Sequence, residues 1–521
     1  MLLEFRASTA LAACALCLLL PCGAALATPP PSPLATENSS SKATDPAANA
    51  DAAPFKAPKR LLIIAPAEFH PQLQEYARHK QKQLPVELVS LEKTLAGASG
   101  RDDPERIKRF LFDQWKNHSA GYALLVGDAD FFPVRYMVLD RVTPAAFDYA
   151  FYPCDLYYSD LAKTDGSFDD WNAHREGFHA DYFGEVRGEK NKSDGINYDQ
   201  VDYRPEIAVG RWPVSSPKEV VTVAAKTIAY EQGVRDETRS GAKSAALVSV
   251  GGWVDSRGLM DRLANRFPAD WKINKRYFAD QDRNDETPPP NQAQVVDLLN
   301  SGQRLVYHAG HGFDHGWDQC FSIRAIKLVH NADRLPVIIS AGCSTARLAT
   351  LPPYEPYVDT AGKEHAGTSA GEIFASPPPP PSPYQKGRFN PTGLGEQLLR
   401  RGEGGAVAYI GCNTGSQPCG LTLLDGFSTA LASNPDARLG DCWTAAIRHY
   451  YDKEQLATIA PTKDWYPASI FFQGMKFMLY GDPTLPMGKL SGPAEYEPPR
   501  DPKAAPALKA ISPEDKAPVD R

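Results

Sequence analysis

The sequence has little of what identifies several large classes of protein. Basic residues do not exceed acidic ones, 56 against 63, so the chain has no surplus of positive charge for a nucleic acid or an anionic membrane. Beyond residue 27 there is no run of eighteen apolar residues, and no membrane span is expected. The six cysteines after residue 27 form no CxxC pair, which argues against a zinc ribbon or a thioredoxin motif. They are too few for a disulfide scaffold, although Cys412 and Cys419 are close enough in sequence to pair.

Both ends of the chain lack the large apolar side chains that a core requires. Residues 28–58 and 491–521 are rich in proline, so we interpret the first as a disordered linker or pro-segment and the second as a disordered tail. Residues 1–27 are different, because Arg6 precedes a short apolar run and Ala25-Leu26-Ala27 offers a small-residue cleavage site. This pattern predicts a cleavable signal peptide and a secreted or periplasmic protein.

A lipid anchor is the alternative at this terminus. Cys22 follows a leucine-rich run, as the lipidated cysteine of a lipoprotein does. Pro21, however, stands where a small residue would precede that cysteine, which argues against the anchor.

Between these ends, short apolar runs alternate with amphipathic helices. RLLIIAP at 60–66 and residues 122–126 are typical of buried strands, and Asp103-Pro104 marks the start of a helix between them. This alternation predicts an α/β fold with a doubly wound, mostly parallel sheet and helices on both faces. We expect two subdomains, residues 59–200 and 201–490, with the functional site in the second.

Residues 145–200 interrupt the alternation with an Asp- and Tyr-rich insertion. Its aspartates do not have EF-hand spacing, so we expect solvated carboxylates of a surface loop, with a structural calcium ion as the alternative. The aspartates concerned are Asp155, Asp160, Asp165, Asp169 and Asp170.

Two predicted strands each end in a residue suited to catalysis. Residues 304–308 lead through Ala309-Gly310 to His311, and residues 336–341 lead through Gly342 to Cys343. Ligands bind beyond the carboxyl ends of the strands of an open parallel sheet. If the two strands are neighbours, His311 and Cys343 lie side by side there.

A histidine beside a cysteine has a known chemical use. The imidazolium lowers the pKa of the thiol, the thiolate attacks a carbonyl, and the histidine returns a proton to the leaving amine. The N–H of Gly312 has no side chain to shield it and can bind an oxyanion, with the N–H of Cys343 as a second donor.

Two other interpretations of these residues are open. Either side chain could be an ordinary buried residue. His308, His311 and His315 are close in sequence and could ligate zinc, but their spacing matches no metal motif, so we assign no metal. The predicted chemistry requires no cofactor.

Five sequence segments resemble the gingipain family of cysteine peptidases, which belongs to the caspase-like clan. In chain order they are PEIAVGRWPV at 205–214, YHAGHG at 307–312, SAGC at 340–343, GGAVAYIGCNTG at 404–415 and YGDPTLP at 480–486. The resemblance implies a caspase-like fold and endopeptidase activity on protein or peptide substrates. It also implies a catalytic His311, a nucleophilic Cys343 and an oxyanion donor at Gly312.

Three departures from that family affect the prediction. No glutamate follows the strand predicted at 245–250, so the third member of the site is unknown, and the available Glu206 is expected to pair with Arg211. The family's acid for basic P1 side chains corresponds only loosely to Asp255. The tryptophan after the AVAYIG segment is missing. A non-catalytic binding scaffold, or a thioacyl transferase or ligase using the same two residues, therefore remains as an alternative function.

Overall fold

The computed structural model describes most of the chain between residues 59 and 488. The described residues are 59–138, 151–172, 196–197, 199–236, 243–278, 290–374, 378–387, 392–434, 436–463 and 468–488. They all belong to one compact unit, residues 56–521. The predicted signal peptide, the linker and the whole of the proline-rich tail lie outside the described residues. No helix among the described residues is both long and apolar enough to cross a membrane.

The strands form one large sheet and three small ones. In chain order they are β1 (Arg60–Ala65), β2 (Val86–Ser90), β3 (Ala120–Val126), β4 (Tyr136–Val138), β5 (Phe151–Pro153), β6 (Ala208–Trp212), β7 (Ser244–Ser249), β8 (Lys272–Tyr277), β9 (Leu305–Ala309), β10 (Gly312–Phe313), β11 (Gly316–Trp317), β12 (Phe321–Ser322), β13 (Val337–Ser340), β14 (Tyr357–Val358), β15 (Glu364–His365), β16 (Ala408–Cys412) and β17 (Phe477–Tyr480).

The large sheet has ten strands in the order β2-β1-β3-β6-β17-β16-β13-β9-β7-β8. All neighbouring strands are parallel except β16 and β17, which are antiparallel. The α/β class and the mostly parallel sheet are confirmed. The predicted boundary after residue 200 stays a prediction, but the sheet is continuous on both sides of it, because β6 pairs with β3 over five residues.

The helices connect these strands. They are α1 (His70–Gln81), α2 (Leu91–Gly97), α3 (Asp103–His118), α4 (Pro217–Asp236), α5 (Arg257–Ala264), α6 (Gln292–Asn300), α7 (Leu394–Arg400), α8 (Leu421–Ser433), α9 (Leu439–Lys453) and α10 (Ala468–Gln473). Short 3-10 turns include Leu156–Tyr158, Ile323–Leu328, Pro418–Gly420 and Gly474–Lys476.

Alternate side chains of each strand enter two separate cores. Leu62 and Ile64 of β1 pack in the core that includes α3, α5, α8 and α9, whereas Leu61 and Ile63 pack in the core that includes α1, α4, α6 and α7. A strand alternates its side chains between the two faces of a sheet. The helices therefore cover both faces, as expected.

The starts of two helices carry side-chain caps, and the sequence predicts the first of them, at Asp103-Pro104. The N-cap of α3 is Asp102, one residue before the predicted Asp103, and its carboxylate accepts the Glu105 N–H at 2.9 Å. At α4 the Ser216 hydroxyl accepts the Glu219 N–H at 3.3 Å, while the Glu219 carboxylate accepts the N–H of Ser215.

The insertion between β5 and β6 differs from the prediction. Of the five aspartates considered for calcium, Asp155, Asp160, Asp169 and Asp170 are buried rather than solvated, and Asp165 is exposed. Each finds a partner within the chain; for example, Asp160 accepts the indole N–H of Trp171 at 3.2 Å. Buried carboxylates persist only with such partners. The calcium hypothesis stays a prediction, and a melting temperature lowered by a chelator would support it.

The predicted pairing of Glu206 with Arg211 is wrong. Arg211 is fully buried and forms a two-bond ion pair with Asp155, at 2.8 and 2.7 Å. Glu206 instead accepts the backbone N–H groups of Leu161 and Ala162. Proximity in sequence had suggested the wrong carboxylate, because Asp155, which precedes Arg211 by 56 residues, lies next to it in space.

Candidate active site

The sheet brings His311 and Cys343 to the same edge. β9 and β13 are parallel neighbours, with His308 opposite Ser340, so their carboxyl ends coincide. His311 follows the end of β9 and Cys343 follows the end of β13. Both residues line one open cavity of about 430 Å³, and both are partly accessible.

The two strand ends approach each other through glycines. A Cβ added to Gly312 would lie 2.7 Å from Cγ2 of Thr345 and 3.0 Å from Cα of Gly342. Gly310 has φ +115°, and a Cβ there would lie 2.3 Å from the carbonyl oxygen of Val250. Only glycine fits this conformation and this contact.

The backbone of the His311 turn is held on both sides. Its N–H donates to the Gly251 carbonyl at 3.0 Å, and its carbonyl accepts the Asp318 N–H at 3.1 Å. These bonds tie the turn to the segment after β7 and to the loop after β11. The position of the imidazole therefore depends on three segments.

The thiol of Cys343 lies against the loop that follows β16. The Ser416 N–H donates to Sγ of Cys343 at 3.2 Å, and the Ser416 carbonyl lies 3.7 Å from the same sulfur. An N–H that donates to sulfur favours the thiolate form. Ser344, the next residue, has φ +55°, which makes the turn after the strand a sharp one.

A buried network of polar side chains around Ser340 stabilises this turn. The Ser340 hydroxyl accepts the Gly342 N–H at 3.3 Å and lies 2.8 Å from Nδ1 of His308. The Thr345 hydroxyl donates to Ser340 at 3.1 Å. These groups come from β9, from β13 and from the segment that follows Cys343.

His308 belongs to this network and does not line the cavity. Its ring stacks on Trp317, with the ring centres 4.5 Å apart, and burial lowers its pKa to about 3. It is therefore neutral at physiological pH. His315 is exposed and pairs with Asp314 at 2.8 Å. Among the described residues, no group of three or more His, Cys, Asp or Glu side chains is arranged to hold a metal ion.

Of the described cysteines, Cys343 is the one that lines the cavity. None of the six takes part in a disulfide, so the candidate pairing of Cys412 with Cys419 is wrong for the described chain. Burial raises the pKa of the Cys419 thiol, and it raises the pKa of four others to about 12. Those four are Cys154, Cys320, Cys412 and Cys442.

No acidic side chain lines the described part of the cavity wall beside β7. This wall is formed by Gly252, Trp253 and Val254, and the Trp253 side chain is 65% exposed. Asp255 follows directly but is not part of the lining, and its carboxylate forms a two-bond ion pair with Arg257, at 2.9 and 2.8 Å. Its role in substrate binding stays a prediction. The exposed Trp253 was not anticipated from the sequence, although a tryptophan after two glycines at a strand end is a signal for it.

The YGDPTLP segment has a structural role. One oxygen of Asp482 accepts the N–H and hydroxyl of Thr484, both at 2.7 Å, and the other lies 2.8 Å from Nζ of Lys80. The Tyr76 hydroxyl also donates to it. The segment therefore anchors the end of β17 to α1 rather than lining the cavity.

Comparison with known proteins identifies the family. The model of Peptidase family C25 matches residues 56–488. Among curated relatives, gingipain R2 and gingipain R1 of Porphyromonas gingivalis are each 26% identical over 200 residues, or 35% of this chain. The matches cover 26% and 19% of those relatives, so the chain spans about a quarter or less of their length.

Solved structures agree on the fold. The crystal structure of the Arg-specific cysteine proteinase gingipain R has a TM-score of 0.54 at 18% identity, covering 83% of this chain and 79% of that one. The complex of the pro- and mature domains of Porphyromonas gingivalis RgpB has a TM-score of 0.51 at 17% identity, covering 82% and 79%. With the family model matched over nearly all of the described residues, the chain belongs to Peptidase family C25.

Proposed function

We propose that the protein is a cysteine endopeptidase in which Cys343 is the nucleophile and His311 is the general acid and base. One observation carries this proposal: the two residues line the same cavity beyond adjacent parallel strands, in a chain that belongs to a peptidase family. The substrates are proteins or peptides. The activity requires no cofactor.

The first half of the reaction forms a thioester. The Cys343 thiolate attacks the carbonyl carbon of the scissile peptide bond, and the negative charge on its oxygen is bound by the N–H groups of Gly312 and Cys343. When the intermediate collapses, the C–N bond breaks and the His311 imidazolium gives its proton to the leaving amine. The Ser416 N–H, 3.2 Å from Sγ, holds the thiolate in place before attack.

The second half restores the enzyme. Water attacks the thioester carbon while neutral His311 accepts its proton. The C–S bond then breaks, which releases the carboxylic acid and the thiolate. An amine in place of water would give a new amide, which is the transferase or ligase alternative.

The test uses peptidyl electrophiles with varied P1 side chains, followed by peptide mapping, on the exported form of the chain. We expect rapid labelling confined to Cys343, loss of labelling and turnover in Cys343→Ala, and labelling slowed at least tenfold in His311→Ala. Cys419→Ala and His315→Ala are matched controls, because they remove another partly accessible thiol and a histidine outside the cavity.

Other outcomes would redirect the proposal. Absence of labelling at Cys343 in folded protein would contradict it and favour a non-catalytic binding scaffold. Amide products formed from an added amine, seen by mass spectrometry, would favour the transferase. The P1 probe that reacts fastest would also test Asp255. If Asp255 binds the P1 side chain, probes with a basic P1 residue should react fastest, and Asp255→Asn should lose that preference.

We also propose that the protein is exported through residues 1–27. The charged start, the short apolar run and the Ala25-Leu26-Ala27 site support this. Intact mass of protein recovered outside the cytoplasm should match a chain that begins at Thr28. An uncleaved chain retained inside the cell would contradict export.

A further inference from the structure

A lysine is buried on the interior side of the candidate nucleophile. Lys476 ends the 3-10 turn that precedes β17, and its carbonyl accepts the Asn413 N–H at 2.9 Å, directly after β16. The residue is only 4% exposed. Since β16 is the neighbour of β13, Lys476 lies at the sheet edge that also carries Cys343.

The ammonium group of Lys476 has uncharged neighbours. Nζ donates to the Gly415 carbonyl at 3.4 Å and lies 5.8 Å from the ring centre of Tyr152. Within the described part of the chain, no carboxylate forms an ion pair with it. A buried cation without a counter-charge is costly, which makes a nearby site for an anion favourable.

The groups that act on Lys476 electrostatically are three thiols. Burial lowers its pKa, while Cys412, Cys419 and Cys343 raise it. Cys412 is fully buried in β16. Cys419 lies in the Pro418–Gly420 turn and accepts a hydrogen bond from the Tyr450 hydroxyl. The nearby Glu454 carboxylate further raises the pKa of the Cys419 thiol.

Cys343 is the thiol best placed to become that anion. It is partly accessible and accepts a hydrogen bond from the Ser416 N–H. Ser416 directly follows Gly415, whose carbonyl accepts a hydrogen bond from Lys476. The loop 413–416 thus connects the ammonium to the sulfur. Ionisation of Cys343 creates the negative charge that the buried ammonium lacks.

We propose that Lys476 is a positioning residue that stabilises the Cys343 thiolate from the protein interior, opposite His311 on the cavity side. This inference rests on the proposed function. It requires no proton transfer to the lysine, because the thiol proton leaves through the cavity. Among the described residues, the other titratable groups that act on or contact Lys476 are Tyr152, Cys412 and Cys419, none of which supplies a positive charge.

The experiment measures how the rate of Cys343 alkylation by iodoacetamide depends on pH, by peptide mass mapping of the folded chain. In Lys476→Met we expect alkylation at pH 6.5 to be about tenfold slower, equivalent to about one pH unit, with the rate at high pH within about twofold of the wild type. Lys476→Arg keeps the charge and should stay close to the wild-type profile. The acidic limb of the pH profile of kcat/KM should shift in the same direction as the alkylation profile.

A second buried lysine provides the matched control. Nζ of Lys226 is surrounded by the carbonyls of Leu398, Leu399, Arg401 and Gly404, at 2.8 to 3.0 Å, and does not contact the cavity. Lys226→Met removes a buried ammonium without touching the site. It should lower the melting temperature and leave the Cys343 profile unchanged.

The outcomes separate this inference from the proposed function. An unchanged profile in folded Lys476→Met overturns the inference even if the enzyme turns over. A shifted profile in a protein without turnover supports the lysine and rejects the peptidase. If Lys476→Met does not fold, the uncharged but polar Lys476→Gln is measured in its place, and an unchanged Cys343 profile in folded Lys476→Gln overturns the inference in the same way.

Discussion

Single glycines determine how closely the two strand ends of the site approach each other. Gly312 lies where the His311 turn contacts the Cys343 turn, and there is no room for a side chain between them. The sequence also predicts that its N–H is an oxyanion donor. The two roles agree, since an N–H can reach the substrate only if the backbone itself approaches it.

Gly312→Ala should therefore reduce kcat at least tenfold and change KM little. The added Cβ would lie 2.7 Å from Thr345, so the turn must shift and the oxyanion donor moves with it. Steady-state kinetics on a peptide substrate would measure the change. Gly97→Ala is the matched control, because nothing lies within 4 Å of a Cβ at that position. An unchanged kcat in Gly312→Ala would exclude the donor role.

Elements from distant parts of the sequence are joined by a buried ion cluster. Lys80 of α1 lies between Glu231 of α4 and Asp482 after β17, and all three side chains are almost fully buried. His79 also contacts Glu231, at 2.7 Å. The cluster joins two helices on one face of the sheet to the turn that follows β17.

This cluster should make stability depend on acid. Burial by itself would raise the pKa of Glu231, but Lys80 and His79 lower it to about 2. A carboxylate whose folded-state pKa is lowered stabilises the protein above its unfolded value, near 4.5, and this stabilisation is lost as the pH falls toward 2. We expect Glu231→Gln to lower the free energy of unfolding at pH 7 by about 3 kcal/mol and to flatten its fall below pH 4.5.

Thermal or urea unfolding between pH 7 and pH 3 would measure this effect. Glu75→Gln, on the exposed side of α1, is the matched control and should leave both the stability and its pH dependence unchanged. An equally steep loss in acid for Glu231→Gln and the wild type would assign the acid sensitivity to other groups.

The whole molecule is organised around one continuous sheet. The predicted boundary after residue 200 falls just before β6, yet β6 pairs with β3 from the first half and touches β17 through Tyr480 and Arg211. We expect a single cooperative unfolding transition in calorimetry, because neither half can keep its central strands paired without the other. A segment of residues 201–490 expressed alone should not fold. Two resolved transitions, or a folded segment, would support two subdomains.

Sequence reasoning was most successful where the signal was local. The strands β9 and β13 and the glycines at their ends are all contained in short segments, 304–312 and 336–343, as are His311 and Cys343, whose catalytic roles stay a prediction. β8 and β17 were missed. β8 reads KINKRY, which is polar for a strand, and β17 has only four residues. Strands of this kind are defined by the partners they pair with more than by their own pattern.

The sequence by itself determined the fold class, the family and the two residues expected to carry out the chemistry, because periodicity, glycine positions and short motifs are local properties. Tertiary structure alone decided which groups surround them. Ser416 contacts Cys343 from 73 residues away along the chain, the buried Lys476 lies at the same edge of the sheet from 133 residues away, and Asp155 rather than Glu206 neutralises Arg211. Such contacts depend on strand order and on loops that fold back, and no spacing within one segment encodes them.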